Sequence, residues 1–452
     1  MEDLEKYLSE LTTREPIATL YTALGEDAAL HIVGGTIREV ACGERDGDID
    51  LATRLTPDEV GERLKSCGVR VIETGLLHGT VTALVGTESV EITTFRKRVA
   101  RGVLGFSEDI AEDLSARDFT INALAFNIAT RRVLDPYDGL SDLRSKILRG
   151  VGDAEERFKE DPLRLLRMVR FGAAAGRSVA EETVEAAKRS RALISSVSVE
   201  RVREEFSKIL VSEYARAAFH LLYETGLLEV VLPEIMPAIG FEQNEFHIHD
   251  VFEHTLDVIE RSPRDLILRL AALFHDIGKT QTLSIDDGGR RHFYCHEAKS
   301  VEICNTVMRR LRYSNEDIRR VSLLVAQHMR SFTCGAAGVR RIMRDLGSEL
   351  DNWLLFKEAD ISPAMGQEEF LSQKHAFLEI LEEEKKRLEE PAYGKLAVSG
   401  DDILAMGVKA GPEVGKILNY LKELVLDDPE RNEKSKLIKL AQVFFSEGKR
   451  NS

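Results

Sequence analysis

His31-Ile32-Val33-Gly34-Gly35-Thr36-Ile37-Arg38, followed by Gly47-Asp48-Ile49-Asp50-Leu51, is the stretch whose reading decides the fold. Ile32 and Val33 end a short buried strand, Gly34-Gly35 lets the backbone turn sharply, and a helix begins near Thr36. Residues two apart in a strand share a face, so Asp48 and Asp50 project together while Ile49 and Leu51 pack behind them. Free amides at the glycine turn form a phosphate cradle, and two carboxylates on one face form a divalent-metal site. Either feature alone is an ordinary turn or solvated loop. In this order they supply what nucleotidyl transfer from a nucleoside triphosphate needs: metal ions that activate an attacking hydroxyl and neutralise the leaving pyrophosphate.

The chain has 452 residues with 43% hydrophobic content, enough for about three domains. No apolar run approaches the roughly 20 residues of a membrane span, and Met1-Glu2-Asp3-Leu4-Glu5-Lys6 lacks the features of a signal peptide. A cytoplasmic protein without a membrane partner is expected. Five scattered cysteines without Cys-x-x-Cys indicate neither a disulfide framework nor a zinc ribbon. A formal charge of −15 argues against a non-specific nucleic-acid coat. Clusters at Arg164, Arg167, Arg170 and Arg177, at Arg309, Arg310 and Arg312, and at Arg340, Arg341 and Arg344 are either a local basic track or solvated helix faces.

A helix capped by Thr56 runs to Cys67-Gly68. Residues 69–72, 79–85 and 89–95 read as strands, with a turn at Gly86-Thr87-Glu88. The result is a small mixed sheet. Glu91 alternates with Val90 and Ile92 and is either a third acidic group beside the aspartates or an exposed strand residue.

Gly34-Gly35-x-x-Arg38-Glu39 with Gly47-Asp48-x-Asp50-Leu51 resembles motif A of the class II tRNA nucleotidyltransferases and bacterial poly(A) polymerases. The run from Glu73 to Val81 resembles the CCA-adding branch of that family. The segment from Arg96 to Ser115 corresponds to a loop that assists the switch from cytidine to adenosine; it is polar and short, which keeps partial activities open. Arg117-Asp118-Phe119-Thr120-Ile121-Asn122 resembles motif B, the ribose-recognition element, with Asp118 and Asn122 at helical i, i+4 spacing. Leu134-Asp135-Pro136-Tyr137-Asp138-Gly139 resembles motif C, read as a structural turn between head and neck. Glu160-Asp161-Pro162-Leu163-Arg164-Leu165-Leu166-Arg167 resembles motif D. There Asp161 as acceptor and Arg164 as donor, three apart on a helix opened by Pro162, match the Watson–Crick edges of C and A but not of U and G.

His254, His275-Asp276 and Asp360, with His296 and His328, follow the order of the HD phosphohydrolase superfamily and suit a divalent metal of unspecified identity. His247, His249 and His292 are read as surface or packing residues. The Gly411-Pro412-x-x-Gly415 start of a late helix resembles the tRNA-holding tail of bacterial CCA-adding enzymes.

The resemblance implies an α+β fold: a mixed-sheet nucleotidyltransferase head (1–145), an all-α neck and body for base selection and RNA binding (146–240), an α-helical HD domain (241–385) and a helical, tRNA-binding tail (386–452). It implies template-independent addition of CCA to tRNA from CTP and ATP. Asp48 and Asp50, with Glu91 a candidate, would hold Mg2+. Gly34, Gly35, Arg38, Arg117, Asp118, Asn122, Asp161, Arg164 and Arg167 would bind the nucleotide. A CC-adding or A-adding enzyme, a poly(A) polymerase, and an HD phosphohydrolase with an RNA-binding head are the alternatives. Oligomeric state is not indicated.

Overall fold

The computed structural model describes residues 2–43, 49–72, 79–100, 103–243, 249–361, 366–389 and 395–450. Asp48, residues 73–78 of the CCA-branch run, His247 and Pro391 lie outside the described residues. Two compact units are present. One comprises Met1–Pro237, Arg264–Leu266 and Thr306–Tyr313; the other comprises Ala238–Pro263, Ile267–Asn305 and Ser314–Ser452.

The first unit opens with α1 (Glu2–Leu11) and α2 (Ile17–Leu24), then β1 (His31–Val33), α3 (Gly35–Ala41), β2 (Asp50–Thr53), α4 (Pro57–Ser66), β3 (Arg70–Ile72), β4 (Thr80–Val85) and β5 (Glu88–Thr94). These strands join β8 (Ala125–Asn127) and β9 (Arg132–Leu134) in one sheet of order β3-β4-β5-β2-β1-β8-β9. The β2–β5 pair is parallel and the others are antiparallel, so the sheet is mixed, as expected. All of β1 is buried, Ile32 and Val33 as apolar core and His31 with its ring nitrogens bonded to the Ala29 carbonyl and Asn127. Asp50 stands opposite Glu91 in the β2–β5 ladder, which puts both side chains on one face. The predicted Thr56 cap is present as a capping box with Glu59.

Within the polar segment 96–115, read from sequence as corresponding to a loop, Arg96–Ala100 (β6) and Val103–Phe106 (β7) pair as a two-stranded ribbon. Hydrogen bonding between the two strands gives this polar segment a regular form that its composition does not announce. It leads into α5 (Ile110–Ser115). Behind the sheet, Val33, Ala52, Phe95, Leu114, Ala123, Ala125 and Val151 form a buried cluster.

The helices α6 (Gly139–Arg144), α7 (Ala154–Glu160), α8 (Arg164–Phe171), α9 (Glu181–Ser190), α10 (Val199–Leu210), α11 (Ala215–Glu224) and α12 (Leu227–Val231) follow. The start of α6 is held from outside: the Asp135 carboxylate accepts hydrogen bonds from the amides of Gly139 (2.7 Å) and Leu140 (3.0 Å). A Cβ at Gly139 would lie 2.2 Å from the Thr120 carbonyl oxygen, so the α6 backbone presses directly on the chain that follows Asp118.

The second unit is helical, with α13 (Val251–Arg261), α14 (Leu266–Phe274) from Ile267 on, α15 (Lys279–Thr282), α16 (His296–Arg310) as far as Asn305, α17 (Asn315–Gln327), α18 (Ala336–Leu346), α19 (Leu350–Ala359), α20 (Gln367–Glu389), α21 (Gly400–Ala405), α22 (Pro412–Asp427) and α23 (Lys434–Arg450). The apolar stripe of α22 is core, with Ile417 and Leu421 buried against Ile403, Leu437 and Ala441. Arg340 on α18 donates to the carbonyls of Leu426 (2.5 Å) and Asp427 (2.8 Å) and pairs with Glu384 at 2.9 Å, both side chains buried.

Replacing Gly139 by Ala forces a methyl group into backbone and should destabilise this joint by about 1–3 kcal/mol. Hydrogen–deuterium exchange across 139–144 checks this. The variant should lose protection there while the tail helices exchange at the wild-type rate.

Candidate active site

Strand β1 delivers the chain to Gly34, whose φ of 57° is a conformation glycine tolerates and other residues rarely adopt. A Cβ at Gly34 would lie 2.6 Å from Arg117 Nη1, and one at Gly35 3.1 Å from Asp50 Oδ2. Gly34 is favoured by its backbone conformation, and at Gly35 a side chain would crowd Asp50. Thr36 Oγ1 accepts the Asp50 backbone amide at 3.0 Å, tying the start of α3 to the start of β2.

A cleft of about 810 Å³ opens here. It brings together Gly34, Gly35, Arg38, Asp50, Arg117, Asp118, Asn122, Asp161, Arg164 and Arg167 from three separated sequence motifs, A, B and D. Glu91 neighbours Asp50 in the sheet but is not part of the cleft lining. Asp48 lies outside the described residues.

The cleft floor is a hydrogen-bonded chain. Arg38 Nη1 donates to Asn122 Oδ1 (2.5 Å), Asn122 Nδ2 donates to Asp118 Oδ1 (2.9 Å), and Arg167 Nε donates to Asp118 Oδ2 (2.8 Å). Burial, the strongest influence on the Asp118 carboxyl, pushes its pKa up. The Arg167 charge, the Asn122 bond and the Arg164 charge overcome it and hold the group at about 2. The helical spacing expected of Asp118 and Asn122 is not found. Phe119 is extended and Thr120–Asn122 is a single 3₁₀ turn, which brings the two side chains into direct contact. Gly139 packs closely on the Thr120 carbonyl in this turn.

Asp161 and Arg164 also differ from expectation. Asp161 caps the end of α7 and Arg164 begins α8, so the pair straddles a turn at Pro162 and does not share a helix face. Asp161 accepts from Arg201 Nη2 (2.9 Å) and from the Leu163 amide (3.2 Å). Arg164 donates to Glu160 (3.0 Å) and to the Ala116 carbonyl (2.9 Å). Both still line the cleft.

Several cleft residues were not singled out by sequence reading. Asp113, buried, receives Arg117 Nε and Nη2, both at 3.0 Å; the i, i+4 spacing was the available signal. Arg201 carried no local mark of a pairing 40 residues away. The Phe171 ring has the guanidinium carbons of Arg38, Arg167 and Arg170 at 4.7, 5.0 and 4.2 Å from its centroid.

In the second unit, His254, His275, Asp276, His296, His328 and Asp360 converge. The His254 and His275 Nε2 atoms are 3.2 Å apart, and those of His296 and His328 are 3.1 Å apart. Asp276 is shared. Its Oδ2 faces His254 (3.4 Å) and His275 (3.2 Å), and its Oδ1 faces His296 (3.2 Å) and His328 (3.6 Å). Asp360 Oδ1 joins the first group, 3.3 Å from His254 and 3.5 Å from His275. Nδ1 of His275, His296 and His328 bonds the carbonyls of Ala272, Phe293 and Val325, which leaves each Nε2 with its lone pair turned inward. Facing imidazole nitrogens at 3.1–3.2 Å are satisfied by a proton or a metal ion between them, and His254, His275 and Asp276, and likewise Asp276, His296 and His328, are sets of donors that would hold a divalent metal. The same environment acts on a proton: burial lowers the His275 pKa, but Asp276 and Asp360 carry it up to about 10. Lys279 Nζ, buried, bonds Asp276 Oδ2 (2.6 Å) and Gln243 Oε1 (2.7 Å). His249 and His292 pair with Asp257 and Asp286, away from the cluster.

Residues 30–149 match the Poly A polymerase head domain, 178–239 the probable RNA and SrmB-binding site of polymerase A, and 247–335 the HD domain. An A-adding tRNA nucleotidyltransferase of Deinococcus radiodurans is 32% identical over 412 residues, covering 87% of this chain and 90% of its own. A CCA-adding enzyme of Lactobacillus helveticus is 30% identical over 419 residues, covering 90% and 92%. The fold is similar to that of the Bacillus stearothermophilus CCA-adding enzyme solved in complex with CTP, with a TM-score of 0.70 and 24% identity over 97% of this chain and 100% of that one. On the strength of the two full-length sequence likenesses, the chain belongs to the tRNA nucleotidyltransferase family with a poly(A) polymerase head domain.

Proposed function

We propose that the protein is a template-independent tRNA nucleotidyltransferase that adds C, C and A to tRNA 3′ ends from CTP and ATP in the cytoplasm. Convergence of ten residues from three motifs on one cleft carries this reading. The domain division expected from sequence is retained with it: head, neck and body, HD domain and tail.

Asp50 and Asp48 would hold magnesium, with Glu91 beside Asp50 in the sheet as a further carboxylate. Bound there, the metal supplies charge neutralisation for the triphosphate and activation of the tRNA 3′-hydroxyl. The turn at Gly34 and Gly35, with Arg38 and Arg117, receives the phosphates. The second N–H of Asn122 and the remaining lone pairs of Asp118 address the ribose. Asp161 and Arg164 read the base once their oxygen and nitrogens turn from Arg201 and Glu160 to its edge.

The test is extension of tRNAs ending before the terminal CCA, after its second C, and after its A, with CTP, ATP or both. A CCA-adding enzyme extends the first two and not the third. An A-adding enzyme, the second reading favoured by the Deinococcus likeness, extends only the second and ignores CTP. Asp50→Ala should lower turnover by about 10²–10³-fold with little change in tRNA affinity. A residual rate of a tenth of wild type would remove Asp50 from the metal site.

Asp161→Ala should lower the CTP-to-UTP incorporation ratio, because UTP then no longer sets acceptor against acceptor. Each such mismatch costs roughly 1–3 kcal/mol, or about 5–150-fold in discrimination. Incorporation on a tRNA lacking its terminal trinucleotide, measured at equal magnesium, gives the ratio. If it does not move, Asp161 serves only as a helix cap.

The HD cluster is read as a separate divalent-metal phosphohydrolase centre held by His254, His275, Asp276 and Asp360 with His296 and His328. Metal there would lower the pKa of a bound water. Wild type should retain close to two equivalents of manganese or cobalt after gel filtration and hydrolyse a phosphomonoester or cyclic phosphodiester. His275→Ala should lose metal and hydrolysis together while adding nucleotides at the wild-type rate. Metal retained without any hydrolysis would make the centre structural.

A further inference from the structure

On the first unit, away from the cleft lining, a second cavity of about 400 Å³ lies at the far end of α3. Its lining includes Cys42, Leu140, Arg144, Lys146, Arg177 and Tyr214, and no Asp or Glu. That composition is unusual in a chain of formal charge −15, whose cations are elsewhere commonly matched by acids. Among the described residues, the side chains of Arg144 and Lys146 have neither a hydrogen-bond nor an ion-pair partner. Arg177 is engaged only by neutral groups, the Phe171 carbonyl (3.1 Å) and Cys42 Sγ (3.6 Å). Three cations held around one cavity repel one another, and an anion of more than one negative charge relieves that repulsion.

The rest of the cavity is not suited to a bare ion. Leu4, Ala41, Leu140, Leu143 and Ala175 line it together with the Tyr214 ring. That ring lies against the backbone of Gly176, where a Cβ would come within 2.8 Å of it, so its position is set by packing, yet 45% of the residue remains exposed. A pinned aromatic ring beside a cluster of guanidinium and ammonium groups has the chemistry that holds a nucleotide: stacking for the base and charge-assisted bonds for the phosphate. The volume falls within the range of small-ligand sites.

We propose that this cavity is a second phosphate-binding site that takes one nucleotide, its phosphate on Arg144, Lys146 and Arg177 and its base or sugar against Tyr214 and Leu140. The nucleotide is either free or part of an RNA strand. The seven residues of α3 separate the cavity from the Gly34-Gly35 turn by about 10 Å. The site stands on its own residues and does not depend on the proposed activity of the cleft.

Cys42 is an exposed thiol in the cavity wall, while Cys67 and Cys295 are exposed thiols outside it and serve as internal references. The full chain is alkylated with N-ethylmaleimide, and each cysteine is followed by peptide mass spectrometry, alone, with CTP or ATP, and with a tRNA lacking its terminal trinucleotide. At ten times the dissociation constant the ligand should slow Cys42 alkylation about tenfold and leave Cys67 and Cys295 unchanged. Protection by CTP or ATP identifies a free-nucleotide site, and protection by tRNA alone identifies an RNA phosphate. The double variant Arg144→Gln/Lys146→Gln, which alters only exposed side chains, should abolish the protection. The proposal is overturned if neither ligand protects Cys42, or if the double variant is protected as well as wild type, since the effect would then come from the cleft.

Discussion

The carboxylate of Asp118 is the point on which the cleft depends. It is buried, charged and bonded at both oxygens, to Asn122 and the Phe119 amide on one side and to Arg167 on the other. Removing a carboxylate from water costs several kcal/mol, so such a group persists only where its partners are held to it. Those partners belong to three different pieces of chain: Arg167 to α8, Asn122 to the 3₁₀ turn and, through Asn122, Arg38 to α3. The groups that face the phosphates, the ribose and the base are thereby fixed relative to one another, with the Phe171 ring packed among the arginines.

The cluster around Asp276 follows the opposite arrangement. In the cleft, permanently charged guanidinium groups neutralise the buried acids. Around Asp276 the neighbours are mainly imidazoles, whose ring orientations are set by backbone carbonyls and whose free nitrogens point inward. Imidazole is neutral unless protonated, so the balancing charge there is exchangeable, a proton or a metal ion, with Lys279 as the fixed contribution.

Charge elsewhere in the chain is resolved by pairing across distance. Arg340, Arg341 and Arg344 bond Glu384, Asp427 and Glu423, and Arg310 and Arg312 bond Glu234 and Glu200. These clusters are struts between helices, not an open basic track. Among the described residues, Arg144 and Lys146 are not paired in this way.

What the sequence by itself determined is the short-range structure: the strand, glycine turn and helix around Gly34, the Thr56 cap, the mixed sheet, the apolar stripe of α22, and which residue types carry chemistry. These follow from spacing, backbone freedom and burial, which act over a few residues. Tertiary structure alone decided the partners. It set Arg201 on Asp161 and Arg38 on Asn122, paired the strands of the 96–106 ribbon, and replaced the expected helix at Asp118 and Asn122 with a 3₁₀ turn under Gly139. Local propensity cannot specify which distant backbone or side chain will occupy the space beside a residue. Where that neighbour arrives within 3 Å, packing overrides the local preference.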